Sequence, residues 1–106
     1  MKLNDLQADF VRAETEGVAR YRSRVPFDLA HGLRMLCPGC FAKNGGPVGT
    51  HSILVWFARR GVPEGEHPLP RWDVQPGSGS LESLTLSPSI DAGCWHGWVR
   101  DGEALP

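Results

Sequence analysis

The sequence predicts a β-rich α+β fold, a small antiparallel sheet with little helix, and three observations carry that expectation. Thirteen glycines and nine prolines in 106 residues interrupt the chain too often for a helical bundle. Ser52-Ile53-Leu54-Val55-Trp56-Phe57 is a near-continuous apolar run, the pattern of a strand buried on both faces. Cys37-Pro38-Gly39-Cys40 places two thiols at the spacing of a metal knuckle, the kind of cross-link that a small β domain can use.

A chain of this length forms one domain, residues 1–106, and can bury roughly two-thirds of its unfolded surface, so its core is thin. With 41% apolar and 22% charged residues it does not read as disordered. Eleven Lys and Arg against 12 Asp and Glu leave a formal charge of −1. That gives no global field to draw the protein onto a phosphate backbone or an anionic membrane. Residues 1–9 lack the apolar run of a signal peptide, and nothing is long enough to span a bilayer, so the expected location is cytoplasmic. Three cysteines cannot all pair within one chain, which favours metal binding over a disulfide framework.

The elements follow in order. A short helix is expected around Leu3, Leu6 and Phe10, then a hairpin: a strand at Asp9 to Glu14, a turn at Thr15-Glu16-Gly17, and a second strand at Val18 to Val25. Alternation there puts Arg20, Arg22 and Arg24 on one face, partly neutralised by Glu14 and Glu16. That face is either a solvated surface or a ridge for an acidic partner. Pro26 interrupts the ladder, Phe27 to His31 forms one helical turn, and Gly32 ends it before a strand at Leu33 to Leu36 that leads into Cys37. Asn44-Gly45-Gly46-Pro47 is a turn that allows hardly one helical turn after the knuckle. The apolar run from Ser52 to Phe57 is expected at the centre of the sheet. A Pro/Gly-rich loop follows at residues 61–80, either mobile or a binding loop, with one short strand at Arg71 to Val74. Leu84 to Leu86 is a further strand, and Cys94 to Arg100 with Glu103 to Leu105 closes the domain as a hairpin around Asp101-Gly102.

The chemistry concentrates on the cysteines. Two intervening residues let both thiolates of Cys37 and Cys40 reach one ion, and Cys94 and His96, two apart in a strand, can point at it from one face. The expected cofactor is therefore Zn2+, held by Cys37, Cys40, Cys94 and His96. His51 competes with His96, but it must return across a glycine-rich turn, whereas His96 needs no bend. On the same strand Trp98 would share the ligand face and shield the ion, while Trp95 and Val99 face away. Other uses of the cysteines fit less well. A thioredoxin-like centre needs a helix directly after the pair, and a zinc deaminase needs a His-x-Glu that none of the four histidines begins. No nucleophile elbow, P-loop or His-Glu-x-x-His is present, and no pair of carboxylates suggests acid-base work.

Four segments taken together resemble a known family: Leu36-Cys37-Pro38-Gly39-Cys40-Phe41, Asn44-Gly45-Gly46-Pro47-Val48-Gly49-Thr50-His51-Ser52, Leu84-Thr85-Leu86-Ser87-Pro88-Ser89-Ile90 and His96-Gly97-Trp98-Val99-Arg100-Asp101-Gly102. They are similar to small phage and prophage proteins of unknown function, some labelled ammonia monooxygenase, and the similarity runs from about Asp9 to the C-terminus. The resemblance implies a zinc-ribbon-like β domain encoded by a bacterial virus, with these cysteines and the histidine as ligands, and no established activity. Members often carry a cysteine directly before the histidine, where this chain has Trp95. Nothing in the chain suggests a copper or di-iron oxidation site.

Three functions are then open. The favoured one is a non-catalytic zinc module that binds another protein, a host factor or a phage protein, with Trp72 on the long loop as an anchor. The alternatives are nucleic-acid binding through the face of Arg20, Arg22 and Arg24, and a zinc enzyme with an open coordination position. No membrane partner is expected.

Overall fold

The structure, a computed structural model, describes residues 1–14, 21–62 and 70–106. The expected turn at Thr15-Glu16-Gly17, Arg20, and residues 63–69 of the long loop lie outside the described residues. The small β-rich architecture expected from the sequence is what forms: short, mostly antiparallel strands and one short α-helix.

Alternation in β3 (Gly32–Leu36) sends Leu33 and Met35 to one face of a sheet. It pairs antiparallel with β1 (Asp9–Ala13) on one side and β4 (Ser52–Trp56) on the other, and β1 also pairs with β2 (Tyr21–Ser23). The order β2-β1-β3-β4 makes β4 an edge strand, not the centre of the sheet. Its apolar run serves two neighbours rather than burial along its whole length. Val55 enters the main core, and Trp56 packs with Val11 and Ala13 on the opposite face, whereas Ser52 and Leu54 are exposed. Tyr21 meets Trp56 edge-on at 6.3 Å between ring centres. Trp72 closes the C-terminal end of the β4 edge: its N–H donates to the Trp56 carbonyl at 2.9 Å, and its carbonyl accepts from Ala58 at 2.7 Å.

Two 3-10 turns fall at Leu3–Leu6 and Phe27–Leu29, close to expectation, although Phe10 belongs to β1. The larger difference is α1 (Pro38–Asn44), seven residues of helix where hardly a turn was expected. Pro38 opens it at a position where a missing N–H costs nothing, and Gly45 ends it with φ at 69°, where a residue without a Cβ is least strained. The alternating arginine face is also cut short, because Arg24 has φ at 58° and lies beyond β2. Arg22 remains exposed on β2 with Glu14 4.0 Å away.

The C-terminal part uses shorter strands. β5 (Asp73–Val74) pairs with β6 (Leu86–Ser87) as a two-stranded sheet, and β7 (Ile90–Asp91), β8 (His96–Arg100) and β9 (Glu103–Leu105) form a third sheet, also antiparallel. The closing hairpin is the expected one: Asp101 and Gly102 both have positive φ, 47° and 75°, as a tight two-residue turn requires. Met1 and Ala104 exchange backbone hydrogen bonds of 3.0 and 2.7 Å. This seats Leu3 and Leu6 in the core beside Leu33, Phe57, Leu84 and Val99, all without solvent exposure. Trp72 is part of that core, only 8% exposed, and its Nε1–H donates to the Ser89 carbonyl at 3.1 Å. It is therefore not the exposed anchor that the sequence suggested.

Candidate metal centre

The β3–β4 ladder pairs Leu36 with Ser52, so the next rung sets Cys37 opposite His51. The Cys37 N–H donates to the His51 carbonyl at 2.9 Å, which extends the ladder by that rung. Helix α1 then carries Cys40 back: the Phe41 N–H bonds the Cys37 carbonyl at 2.8 Å, closing the first helical turn around the two thiols. Cys94 arrives from a tight turn between β7 and β8, shaped by Gly93 at φ 81°, a Cys94 N–H bond to Ala92 at 3.0 Å, and a Gly93 N–H bond to Asp91 Oδ1 at 3.0 Å. This turn presses on α1 at Gly39. A Cβ there would collide with the Cys94 carbonyl oxygen and come within 3.2 Å of Trp95 Cβ.

One ligand atom from each of Cys37, Cys40, His51 and Cys94 lies within 4.8 Å of every other. Donors arranged tetrahedrally around an ion at roughly 2.0–2.3 Å stand about 3.5–3.8 Å apart, so the four are close enough to bind one metal ion after small rotamer adjustments. Cys37 is fully buried, Cys40 half-buried, and His51 and Cys94 are exposed. None of the three cysteines is in a disulfide. The Cys40 thiol is pushed from 9.0 up to about 11, first by its hydrogen bond with Cys94, then by burial, then by its hydrogen bond with Cys37 and the negative charge the other two thiolates would carry. A cation at the centre reverses that repulsion and favours the thiolates.

His96 does not join the three cysteines. Its Nε2 lies 3.1 Å from Ser89 Oγ, and its ring stacks on Trp98 with centres 6.2 Å apart and 22° between planes. The expected shared face fails because β8 begins at His96, leaving Cys94 and Trp95 in the preceding turn. Trp98 does share a face with His96 as expected, but that face is on the outside of the hairpin, where the Arg100 guanidinium lies 5.3 Å from the Trp98 ring centre. The tryptophan beside Gly39 of α1 is Trp95. Among the described residues, His51 is the histidine gathered with the cysteines.

Among the described residues, no helix is long and apolar enough to cross a membrane. No family model matches the chain, and no curated protein and no solved structure matches it.

Proposed function

We propose that Cys37, Cys40, His51 and Cys94 hold one structural Zn2+, and that the chain is a non-catalytic zinc module that binds another protein. The observation that carries the zinc reading is the donor set: three sulfurs and one imidazole nitrogen within 4.8 Å of one another, a soft, closed set typical of structural zinc. Four protein donors fill a tetrahedral shell, which leaves no position for water or substrate and speaks against the zinc-enzyme alternative. The ion would tie the β3–α1–β4 region to the turn between β7 and β8 of the C-terminal sheet.

Support for a protein partner comes from the turn between Cys40 and His51. Thr50 Oγ1 donates to the Gly46 carbonyl at 2.7 Å and accepts from Asn44 Nδ2 at 3.1 Å, fixing a turn that leaves Val48 87% exposed. An apolar side chain on a pre-set turn loses little freedom on docking. A phage or prophage origin and a cytoplasmic setting belong to the same proposal, on the motif resemblance and the sequence composition. Elemental analysis of purified protein tests the zinc reading, with close to one equivalent expected; well-folded protein free of metal would overturn it. For the partner, Val48→Glu should keep its zinc and lose a specific protein captured by the unaltered chain. Equal capture by both would remove the turn from the proposal.

A further inference from the structure

At the far end of β3 from the cysteines, about 20 Å away along the strand, a cavity of about 520 Å³ is lined by Arg12, Arg22, Arg60, His31 and Glu14. Among the described residues, three guanidinium groups face one carboxylate there. Arg12 and Arg22 are direct cross-strand partners in the β1–β2 ladder, a placement in which like charges repel and destabilise the pairing. Glu14 relieves this only weakly, since its carboxylate stands 4.0 Å from Arg22 and the Arg22 and Glu14 side chains are 60% and 42% exposed.

The arginines are nonetheless held in place. Arg12 donates to the Leu29 carbonyl at 2.8 Å, and Arg60 donates to the Phe27 carbonyl at 2.5 Å with its guanidinium 4.6 Å from the Phe27 ring centre. Each of these backbone bonds uses one of five N–H donors on its guanidinium and leaves most of the fork for a ligand. His31 is 5% exposed, and its Nδ1 accepts the Ala13 N–H at 3.1 Å.

We propose that this cavity is a binding site for a phosphate monoester. A dianion would offset the repulsion between Arg12 and Arg22. Its three terminal oxygens match three guanidinium groups, whereas a carboxylate is satisfied by one. The volume exceeds that of a phosphate group and leaves room for the organic part it is attached to. The site does not depend on the metal centre, which lies at the other end of the sheet.

Calorimetric titration of the protein as purified, at low ionic strength, tests this with inorganic phosphate, a nucleoside monophosphate, and one oligonucleotide ending in either a phosphate or a hydroxyl. Saturable binding of phosphate is expected, weakened on the order of tenfold or more in Arg22→Gln and unchanged in Arg100→Gln, which lies outside the cavity. Because Arg22 is exposed, its substitution should leave the fold intact, checked by an unchanged zinc content. Preference for the phosphate-ended strand over the monophosphate would assign the phosphate to a nucleic-acid terminus; the reverse would assign it to a small molecule. No binding by any phosphate probe, or equal binding by Arg22→Gln, overturns the proposal.

Discussion

The two halves of the molecule are held together differently. Residues 9–57 contain a ladder in which β3 and β4 match over five pairs and β1 is paired on both edges. Residues 73–105 rely on strands of two or three residues apart from β8, and their turns are fixed by side chains such as Ser78, whose Oγ accepts the Thr85 N–H at 3.0 Å. Short ladders contribute little alone. The proposed zinc site takes three of its donors from the first region and Cys94 from the second, so the region with the weaker ladders should depend more on the ion.

The largest expected effect follows directly. Structural zinc contributes on the order of 10 kcal/mol to small metallo-domains, comparable to their whole stability. Chelation or Cys37→Ser should therefore leave the protein poorly folded. Hydrogen exchange during partial metal removal should show amides of 94–100 losing protection before those of β3. Simultaneous loss in both regions would show that they are one cooperative unit and remove the contrast.

Gly39→Ala sharpens the comparison without touching a donor. The new methyl would collide with the Cys94 carbonyl oxygen, so either α1 or the Cys94 turn must shift, at a cost of about 1–3 kcal/mol. Zinc affinity should fall while every ligand remains. Gly45→Ala is the control: it meets nothing within 4 Å and carries only the strain of φ at 69°, about 1 kcal/mol. Equal effects of the two substitutions on zinc affinity would show that the contact between the two regions does not position Cys94.

These expectations also mark what was legible in the sequence. The β3 strand, the turn residues Asp101-Gly102 and the knuckle were readable because each is local. Helix α1 was readable in principle from Pro38 and Gly45, its start and stop signals, but the glycines after Asn44 are equally a turn signal and compete with them. His51 was recoverable as well: pairing the two expected strands on either side of the glycine-rich turn places Cys37 and His51 on the same rung. What could not be read locally was tertiary. The burial of Trp72 under the Ser89 carbonyl and the edge position of β4 depend on which strands meet, and spacing along the chain does not encode that.

The pH response separates the metal-free and metal-bound forms. In the metal-free protein the Cys40 thiol is raised from 9.0 to about 11, so the fold holds a proton that the unfolded chain releases more readily. The stability from that group is present below pH 9 and is lost as pH rises through 11. Zinc binding must displace the same proton, so affinity should rise by up to tenfold per pH unit from this thiol alone at pH values below 11. The rise is read from zinc affinity, measured by competition with a chelator between pH 8 and about 10.5. A pH-independent affinity over that range would mean that Cys40 is not a ligand.

The smallest expected effect is also the one that decides between the two histidines. The sequence favours His96 as the fourth ligand through its spacing from Cys94, but the structure sets its Nε2 against Ser89 Oγ and its ring against Trp98, with the side chain exposed. An exposed hydrogen bond and a partly solvated stacking contact together contribute no more than about 1 kcal/mol, a shift in melting temperature of about 4–8 °C at most for a domain of this size. His96→Ala should therefore keep one equivalent of zinc at undiminished affinity, and β8 should stay in register because Gly97 and Val99 remain buried against their neighbours. In His51→Ala the rung next to Leu36 and Ser52 keeps its backbone bond from Cys37 but loses the imidazole, so any fall in affinity there reports the missing donor and not a broken ladder. Retained zinc in His51→Ala together with its loss in His96→Ala would reverse the assignment, and would require the Cys94 turn to extend into β8 when metal is bound.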